Sequence, residues 1–335
     1  MNYGELLYII LPRKFPKETV DMNESFSIIQ DLLQERADYQ ARLNLIPYDG
    51  SPEIKESGSG KYLYIRKRVG GKLTSTYVDL YTEELYQLLL RNSKEARELK
   101  KQIRRVEREL AANGYQGAEL SAEIITNLDF ARANMKSNIY DQAVLEGVAT
   151  SFPQTEEIID NGTVNGMTAD DVQKILNLKH AWEFILDKDV IQAKSNYSLL
   201  CHIARLVNEG FFYDGGRIRG VPVTIGGTNY IPPIPMESQV KENIDGIIDS
   251  GKEAIDIAID LCMYCMRTQV FLDGNKRASV LFANHFMIAH GIGLIVIPEK
   301  DVPEFKKKLI TYYESADIGE IRDFLKEKCW RKIKE

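Results

Sequence analysis

Hydrophobic and polar positions repeat with two different periods along this chain of 335 residues. Side chains alternate every second residue over residues 61–69 and again over 72–80, as is typical of β-strands, and Gly70-Gly71 supplies a two-residue turn between them. Thr82 has the chemistry of a helix N-cap, and a helical repeat follows it to about Asn113. The pattern predicts a β-hairpin followed by a long helix.

Upstream of this hairpin, residues 1–60 are predicted to form an N-terminal segment and linker. The segment begins with a short apolar strand or helix at Leu6–Leu11 and continues as an amphipathic stretch from about Asn23 to Leu43. Residues 47–61 are rich in Pro, Gly and Ser, which indicates a linker. The first third of the chain is thus divided into a segment 1–60 and a module 61–115.

The remainder, residues 116–335, has a helical pattern interrupted by loops. Helices are expected at 118–145, 168–188, 194–210, 237–267, 278–290 and 301–328, with Thr168 as a cap. Residues 215–235 are the exception, because Gly, Pro and β-forming residues there predict a second small hairpin. The fold class is therefore mainly α, a helical bundle with a β-hairpin flap, preceded by the module of hairpin and long helix.

Composition and cysteine content indicate an ordinary globular protein in a reducing setting. Hydrophobic residues make up 44% and charged residues 27% of the chain. Four cysteines do not make a disulfide framework at this length, and the lone Cys262–Cys265 pair on a predicted helix favours packed thiols over a zinc site. Leu6–Leu11 is too short for a signal peptide or a membrane span. We expect a cytoplasmic protein with no membrane contact.

The net charge of −6 conceals an uneven distribution. Residues 61–110 hold 13 Lys or Arg and 7 Asp or Glu, so this stretch is basic and the rest of the chain is acidic. One interpretation is a contact with nucleic acid or an acidic protein, with Tyr62, Tyr64, Arg66 and Arg68 on one strand face. The other is a solvated helix with i,i+4 ion pairs, which we favour. A long exposed helix is also compatible with a homodimer.

Candidate chemistry is concentrated in Asp273-Gly-Asn-Lys-Arg277, at the start of a predicted helix. A helix N-terminus presents unpaired backbone N–H groups, and Gly274 and Asn275 tolerate the left-handed backbone that curls amides around an anion. Lys276 and Arg277 add cations that bind phosphate. Asp273 supplies the hard oxygen that Mg²⁺ prefers. The segment predicts a site for a phosphate-bearing ligand.

Several segments resemble the Fic/Doc family. Gln269-Val-Phe-Leu-Asp-Gly-Asn-Lys-Arg277 resembles its signature, His-x-Phe-x-[Asp/Glu]-[Gly/Ala]-Asn-[Gly/Lys]-Arg. In the family's order, residues 216–219 resemble the Gly-x-aromatic-Arg element, with Ile in place of the aromatic, and residues 223–233 look like the flap hairpin. Glu146-Gly147 resembles the end of the inhibitory-helix motif, although Gln142 stands where Ser or Thr belongs. The resemblance covers about residues 120–328.

The resemblance implies a helical fold that binds Mg-ATP and transfers AMP to the hydroxyl of a target protein (AMPylation), with a role in bacterial signalling. Doc-type members, which share the Lys-Arg form, transfer a phosphoryl group instead. Asp273 would bind Mg²⁺, and Glu146-Gly147, in a helix near 137–148, would be autoinhibitory. The residues implied to bind the nucleotide are Gly274, Asn275, Lys276, Arg277, Gly216 and Arg219. The flap residues implied to bind and align a target segment are Thr224, Ile225, Gly226, Gly227, Thr228, Asn229 and Tyr230.

The chain departs from the family pattern at two positions. The catalytic His of the family falls on Gln269, whose amide does not accept the proton of a hydroxyl at neutral pH. His285 and His290 lie on the following helix, well past the anion site, and are not obvious replacements. The Arg that usually meets the inhibitory Glu is Val280 here, so Glu146 would need Lys276 or Arg277.

These residues are compatible with three functional hypotheses. The first is a Fic-type protein that binds Mg-ATP but has weakened or lost transferase activity, a pseudoenzyme. The second is a working adenylyltransferase, or a Doc-like phosphotransferase, with a non-standard base. The third is a regulator that acts on nucleic acid or protein through residues 61–110, with the Fic-like part as sensor or scaffold. The intact anion site beside a lost base favours the first.

Overall fold

The computed structural model describes residues 22–333 except 59, 70, 71, 116, 118, 163 and 165, with backbone only for 22–27 and 69. The predicted Leu6–Leu11 element and the Gly70-Gly71 turn lie outside the described residues. None of the helices in the described part is long and apolar enough to cross a bilayer. Twelve α-helices dominate these residues, which confirms the mainly α fold.

The N-terminal module consists of two long helices and a three-stranded antiparallel sheet. Its elements in chain order are α1 (Met22–Leu45), β1 (Ser51–Ser57), β2 (Gly60–Val69), β3 (Lys72–Leu80) and α2 (Glu83–Ala112). The predicted pairing of β2 with β3 and the long helix are confirmed. The Thr82 hydroxyl caps α2 by accepting a hydrogen bond from the Leu85 amide at 3.2 Å.

The linker predicted over residues 47–61 is wrong in its central part. Residues 51–57 form strand β1, which pairs with β2 from Ser51 opposite Arg66 to Ser57 opposite Gly60. Pro52 obscured the strand in the sequence, but an edge strand tolerates a residue that donates no hydrogen bond. The boundary at residue 60 therefore divides a single sheet.

The buried side of α2 packs against two elements, one face of the sheet and one side of α1. Leu63 and Ile65 of β2 pack on Leu89 in the first half of α2. In its second half, Val106 and Leu110 pack on Leu32 and Leu33 of α1. Tyr62, Tyr64 and Tyr77 form an aromatic cluster on the opposite sheet face, as the alternation predicts for the first two.

The remaining elements form a helical bundle with one continuous core. They are α3 (Ala122–Ala133), α4 (Met135–Leu145), α5 (Phe152–Asn161), α6 (Ala169–Ile185), α7 (Tyr197–Val207), α8 (Glu237–Ile248), α9 (Ala254–Thr268), α10 (Asn275–Ala289), β4 (Leu294–Ile295), α11 (Val302–Ser315), α12 (Gly319–Phe324) and β5 (Trp330–Arg331). The side chains of α10 are buried from Arg277 to Ile288, so this helix forms the centre of the bundle. Its N-terminus is consequently fixed by the surrounding core.

Three of the predicted helices are interrupted in the structure. The stretch 118–145 breaks at Asn134, whose side-chain amide donates to the Phe130 carbonyl at 2.8 Å. The stretches 237–267 and 301–328 break at Gly251 and Ala316, where φ is 71° and 61°. A helix ends where a side chain competes for its backbone groups, and also where a residue adopts the left-handed conformation. Hydrophobic periodicity detects neither of these causes.

The flap predicted as a hairpin has no paired strands among residues 215–235. A turn at Gly226-Gly227 is present, but Pro222, Pro232 and Pro233 remove three backbone donors. The Arg219 guanidinium instead donates to the carbonyls of Val221, at 2.8 Å, and Pro233, at 2.6 Å. A buried side chain therefore joins the two arms where a strand ladder was expected.

Helix α1 docks the N-terminal module onto the bundle. Ala37 of α1 is buried in the same core as α6. Two groups of charges flank this contact: Arg36 pairs with Asp189 beyond α6, and Asp38 lies 2.9 Å from His180 of α6. The two modules therefore share an interface that is apolar at its centre and ionic at its edges.

Candidate functional site

Residues 269–277, here called the signature loop, connect α9 to α10 in a fixed conformation. Gln269 ends α9 with φ of 49°, and Gly274 precedes α10 with φ of 72°. The Asn275 side chain closes the loop, because its oxygen accepts from the Phe271 amide at 2.9 Å and its nitrogen donates to the Phe271 carbonyl at 2.8 Å. The Asn275 side chain thus fixes the middle of the loop from within.

A cavity of about 370 Å³ opens at the signature loop. Four segments form its walls: the end of α4, the flap, the signature loop with the first turn of α10, and α11. The lining residues are Glu146, Thr224, Ile225, Gly226, Gln269, Asp273, Gly274, Asn275, Lys276, Lys306, Leu309, Ile310 and Tyr313. The predicted inhibitory residue, the flap and the anion site therefore meet around one cavity.

The end of the cavity at α10 has the features of an anion site. Within the described residues, no side chain caps α10 at Gly274, so the amides of the first turn and the positive end of the helix dipole face the cavity unshielded. The Lys276 side chain is 31% exposed and lines the same wall. Helix N–H groups and an ammonium together favour a phosphate or carboxylate ligand.

Arg277 does not line the cavity, unlike the other three residues of the predicted phosphate site. Its guanidinium is 2% exposed and donates to the Val207 carbonyl at 2.8 Å and to Asp273 Oδ2 at 3.0 Å. Asp273 itself is 55% exposed at the cavity edge. The Arg277 side chain therefore anchors α10 and orients Asp273 in this structure.

Glu146 projects its carboxylate toward the cationic end of the cavity. Its two oxygens lie 3.7 Å from Lys276 Nζ and 3.7 Å from Arg277 Nε. The side chain is 12% exposed, and Glu146 Oε1 has no hydrogen-bond partner in the described part of the chain. The carboxylate thus lies next to the cations that would attract a ligand phosphate. Its distances to Lys276 Nζ and Arg277 Nε are longer than a hydrogen bond.

The end of α4 holds Glu146 in this position. Gly147 adopts φ of 82° and ends the helix, which directs the preceding side chain toward α10. Gln142 donates to the Arg277 carbonyl at 2.9 Å and accepts from the Trp182 indole at 3.1 Å. The residue that departs from the family motif thus binds α4 directly to α10.

Gln269 lines the cavity, and its amide is engaged with the signature loop. Its nitrogen donates to the Met266 carbonyl at 2.6 Å, and its oxygen accepts from Asn275 at 3.1 Å. An amide held this way has no basic lone pair to offer a hydroxyl proton. The side chain supports the loop and supplies no general base.

None of the four histidines lines this cavity. Burial lowers the pKa of His285, which contacts Ser195 and the Val190 carbonyl, to about 4, and likewise lowers the pKa of His202 to about 4. His290 is exposed and stacks on Phe286 at the far end of α10. For His180, burial opposes protonation, but hydrogen bonds to the carboxylates of Asp38 and Glu209 prevail and raise its pKa to about 9. None of these imidazoles is placed to act as the base.

Gly216 and Arg219, predicted to contact a nucleotide, lie outside the cavity lining. A Cβ on Gly216 would lie 2.3 Å from the Cys201 carbonyl oxygen, so glycine is required for close packing on α7. Arg219 is 2% exposed, and besides the flap carbonyls its Nε donates to the Gln269 carbonyl at 2.5 Å. Gly216 therefore packs on α7, and Arg219 supports the flap and the signature loop.

The flap divides into a cavity-lining arm and an arm that packs on α11. Thr224, Ile225 and Gly226 line the cavity. Beyond the turn, Thr228 donates to Glu314 at 2.8 Å, and the Tyr230 ring stacks on Tyr313 and lies 4.3 Å from the Arg267 guanidinium. The tip is therefore tied to α11 by polar and aromatic contacts, and Gly227 is close to Ile310.

One wall of the cavity was missed from sequence. Lys306, Leu309, Ile310 and Tyr313 of α11 line it with an ammonium, two aliphatic side chains and a phenol whose pKa is raised by burial. The i, i+3, i+4 and i+7 spacing places them on one helix face. That spacing is the same for any core-facing helix, so it did not identify the face as part of a site.

Comparisons with known families match two separate parts of the chain. Residues 194–287, which include α7, the flap, α9 and most of α10, match the Fic/DOC family. Residues 26–87, which include most of α1, the three strands and the start of α2, match a domain of unknown function, DUF6788. The second match spans the predicted boundary at residue 60, in line with the pairing of β1 and β2.

Curated relatives and a solved structure are similar to more than half of the chain. The chain is 25% identical over 233 residues to the Protein adenylyltransferase Fic of Drosophila willistoni, covering 66% of this chain and 45% of the relative. It is 24% identical over 196 residues to Protein adenylyltransferase fic-1 of Caenorhabditis elegans, covering 56% and 38%. The solved structure of Fic-1 from C. elegans is similar in fold, with a TM-score of 0.50, 20% identity and 73% of each chain covered. The chain thus spans less than half the length of these curated relatives.

Proposed function

We propose that the Fic/DOC family domain of this chain binds Mg-ATP in the cavity at the N-terminus of α10 and has lost most of its capacity to transfer AMP. The observation that carries the proposal is the convergence of the uncapped first turn of α10, Lys276 and Asp273 on one end of a 370 Å³ cavity. Small-molecule sites have volumes of about 300–1,000 Å³, so the cavity is large enough for a nucleotide.

The polarity of the cavity orients the nucleotide. Its phosphates would lie at Gly274 and Lys276, where amides, helix dipole and ammonium concentrate positive charge. Its nucleoside would lie toward Leu309, Ile310 and Tyr313, which supply apolar and aromatic surface. The opposite orientation would bury phosphate against aliphatic side chains and leave Lys276 without a ligand anion.

Asp273 is the residue that would hold Mg²⁺. Its exposed carboxylate lies at the cavity edge beside the proposed phosphates, and Mg²⁺ is commonly bound by one or two carboxylates together with substrate phosphates. The ion would neutralise phosphate charge, and the adjacent Arg277 would keep the Asp273 side chain in place.

The proposed loss of activity follows from the atom balance of AMP transfer. A target hydroxyl oxygen forms a bond to the α-phosphorus, the bond from that phosphorus to the β-bridging oxygen breaks, pyrophosphate leaves, and the hydroxyl proton must be accepted. General-base catalysis of such a step typically contributes about 10²–10⁴-fold. Because Gln269 occupies the position of the base and the histidines are elsewhere, we expect transfer to be slower by a factor of this order.

Isothermal titration of the protein with Mg-ATP tests the binding part of the proposal. We expect wild type to bind, Lys276→Ala to bind roughly tenfold or more weakly through loss of a charge-assisted contact, and Lys307→Ala to match wild type. Lys307 is the control, since it lies on α11 next to Lys306 but does not line the cavity. Equal binding by Lys276→Ala and wild type would contradict the phosphate placement.

A further inference from the structure

We infer that Asn208 is a positioning residue for the signature loop, and that docking of α1 reaches this loop through Asn208 and the adjacent Glu209. The inference deepens the proposed nucleotide site and rests on that proposed function, because it concerns what holds the site in shape. Two sets of contacts carry it, and they meet in residues 207–209, at the C-terminal end of α7.

The first set of contacts joins Asn208 to the signature loop. Its side-chain nitrogen donates to the Asp273 carbonyl at 3.0 Å and to the Gly215 carbonyl at 3.2 Å, and its oxygen accepts from Arg277 at 3.4 Å. The side chain is 1% exposed, so water does not replace these bonds. A Cβ on Gly274 would lie 2.7 Å from the Asn208 oxygen, which shows how closely the loop rests on this amide.

The backbone beside Asn208 strengthens the same connection. The Val207 carbonyl accepts from Arg277 at 2.8 Å, and the Asn177 amide of α6 donates to the Glu209 carbonyl at 2.7 Å. Residues 207–209 are therefore held on one side by α6 and hold the signature loop on the other. A shift of this segment would displace the carbonyl of Asp273 and the guanidinium of Arg277 together.

The second set of contacts joins Glu209 to α1. Its carboxylate lies 3.3 Å from His180 and 2.8 Å from Arg42 of α1. Asp38 of α1 pairs with the same two residues, at 2.9 Å from His180 and 3.3 Å from Arg42. Two carboxylates and two cations thus form one cluster between the N-terminal module and the segment that carries Asn208.

When His180 is protonated, the cluster holds two positive charges, on His180 and Arg42, and two negative charges, on the two carboxylates. The groups that face His180 are Asp38 and Arg42 from α1, Glu209 after α7, His202 within α7, and Glu183 one turn further along α6. Asp38 and Glu209 both favour the protonated imidazole, whereas burial opposes it. Removing the charge would leave two carboxylates to share Arg42, so α1 and Glu209 would be held less firmly.

Hydrogen–deuterium exchange of the nucleotide-free full chain tests the inference without relying on ATP binding. His180→Gln should accelerate exchange, roughly tenfold, both in α1 and in a peptide over residues 273–280. Asn208→Ala should accelerate exchange in 273–280 while α1 stays protected. The double variant should exchange in 273–280 no faster than Asn208→Ala alone, because both changes break the same connection.

Controls separate coupling from general loss of stability. His290→Gln, the same change at an exposed position, should leave both peptides as in wild type, and the core of α9 should stay protected in every variant. If Asn208→Ala does not fold, Asn208→Ser, which retains one donor, takes its place. Faster exchange in α1 without any change in 273–280 would overturn the inference. Failure of every form to bind Mg-ATP would refute the proposed function and leave this result standing.

Discussion

Glu146 and Lys276 show how single side chains set the affinity of the proposed site. The carboxylate lies 3.7 Å from the ammonium at the end of the cavity where phosphate is expected. Opposite charges at this distance attract by about 4 kcal/mol at an effective dielectric constant of 20, before desolvation is subtracted. A ligand phosphate must compete with part of that attraction.

Neutralising Glu146 should therefore strengthen nucleotide binding. We expect Glu146→Gln to bind Mg-ATP several-fold to roughly 30-fold more tightly than wild type, since one unit of negative charge leaves the phosphate end of the cavity. Isothermal titration measures the change. Glu156→Gln is the matched control. Glu156 lies on the surface of α5, pairs with Lys136 of α4 and does not line the cavity. Unchanged affinity in Glu146→Gln would show that the carboxylate does not compete.

At the residue scale, most residues of the predicted site meet at one cavity, but the direction of every side chain was not predictable. Asp273, Gly274, Asn275 and Lys276, chosen for their place at a helix start, line the cavity, and so does Gln269, chosen for its place in the family signature. Arg277 and Arg219 point into protein and donate to carbonyls, and this depends on partners distant in sequence. Lys306 reaches the cavity from α11, and no local pattern distinguishes it from its neighbours.

At the scale of elements, we expect the docking of α1 to depend on the protonation of His180, which lies 2.9 Å from Asp38 of α1. The folded-state pKa of about 9 lies above the ordinary value of 6.5, so the protonated imidazole stabilises the folded state. That contribution is fully present below about pH 6.5 and is lost as the pH rises through 9. By linkage, this difference in pKa corresponds to roughly 3 kcal/mol of folding free energy.

Denaturant unfolding at pH 6.5 and pH 9.5 measures this dependence. We expect wild type to lose free energy of unfolding across the interval, and His180→Gln to start lower and change little. His290→Gln should follow wild type, because its imidazole lies at the far end of α10. Parallel curves for wild type and His180→Gln would mean that the cluster with Asp38 and Glu209 does not hold the charge.

Elements were predictable where one physical signal dominated. The sequence predicts the 30-residue helix α2 because the N-cap residue Thr82 and a regular apolar stripe both indicate a helix over the same residues. Strand β1 was missed because Pro52 and the neighbouring Gly and Ser residues favour a loop, and only pairing with β2 makes it a strand. The predicted flap hairpin does not form. The Arg219 side chain binds backbone carbonyls of the flap that a strand ladder would have used.

At the scale of the whole molecule, the basic stretch 61–110 is paired in part within its own module, because six of its thirteen Lys and Arg side chains lie within 4 Å of a carboxylate among the described residues. Lys67 and Lys100 both pair with Asp49, at 2.9 and 2.7 Å, and Arg105 pairs with Glu35 at 2.6 Å. Carboxylates from upstream of residue 61 thus offset the local charge, which the count over 61–110 omitted. This favours a solvated, internally paired surface over a nucleic-acid contact.

A salt titration checks that interpretation. We expect any binding of a short DNA or RNA duplex to be weak at physiological salt and to have the same salt slope in wild type as in a variant with Arg66, Lys67 and Arg68 changed to Gln. Counterion release ties the slope to the number of phosphates neutralised, so a slope that falls by about 2–3 in the variant would support a nucleic-acid role. Fluorescence anisotropy of a labelled duplex provides both slopes.

For the molecule as a whole, we propose that the cavity binds a nucleotide in competition with the Glu146 carboxylate and that the site has no general base. With Gln269 at the position of the family's His, we expect nucleotide binding to persist while AMP transfer is largely lost. Restoring an imidazole there should restore transfer, because a His tolerates the left-handed φ of 49° better than most residues and the rest of the site is in place.

The most direct measurement is incorporation of label from α-labelled and γ-labelled ATP into the protein itself. We expect wild type to incorporate little from either, and Gln269→His combined with Glu146→Gln to incorporate α-label at a rate about 10²–10⁴-fold higher. The γ-label should stay unincorporated in both. Strong labelling of wild type by either nucleotide would contradict the proposed loss of transfer, as would a double variant that binds Mg-ATP and incorporates no α-label.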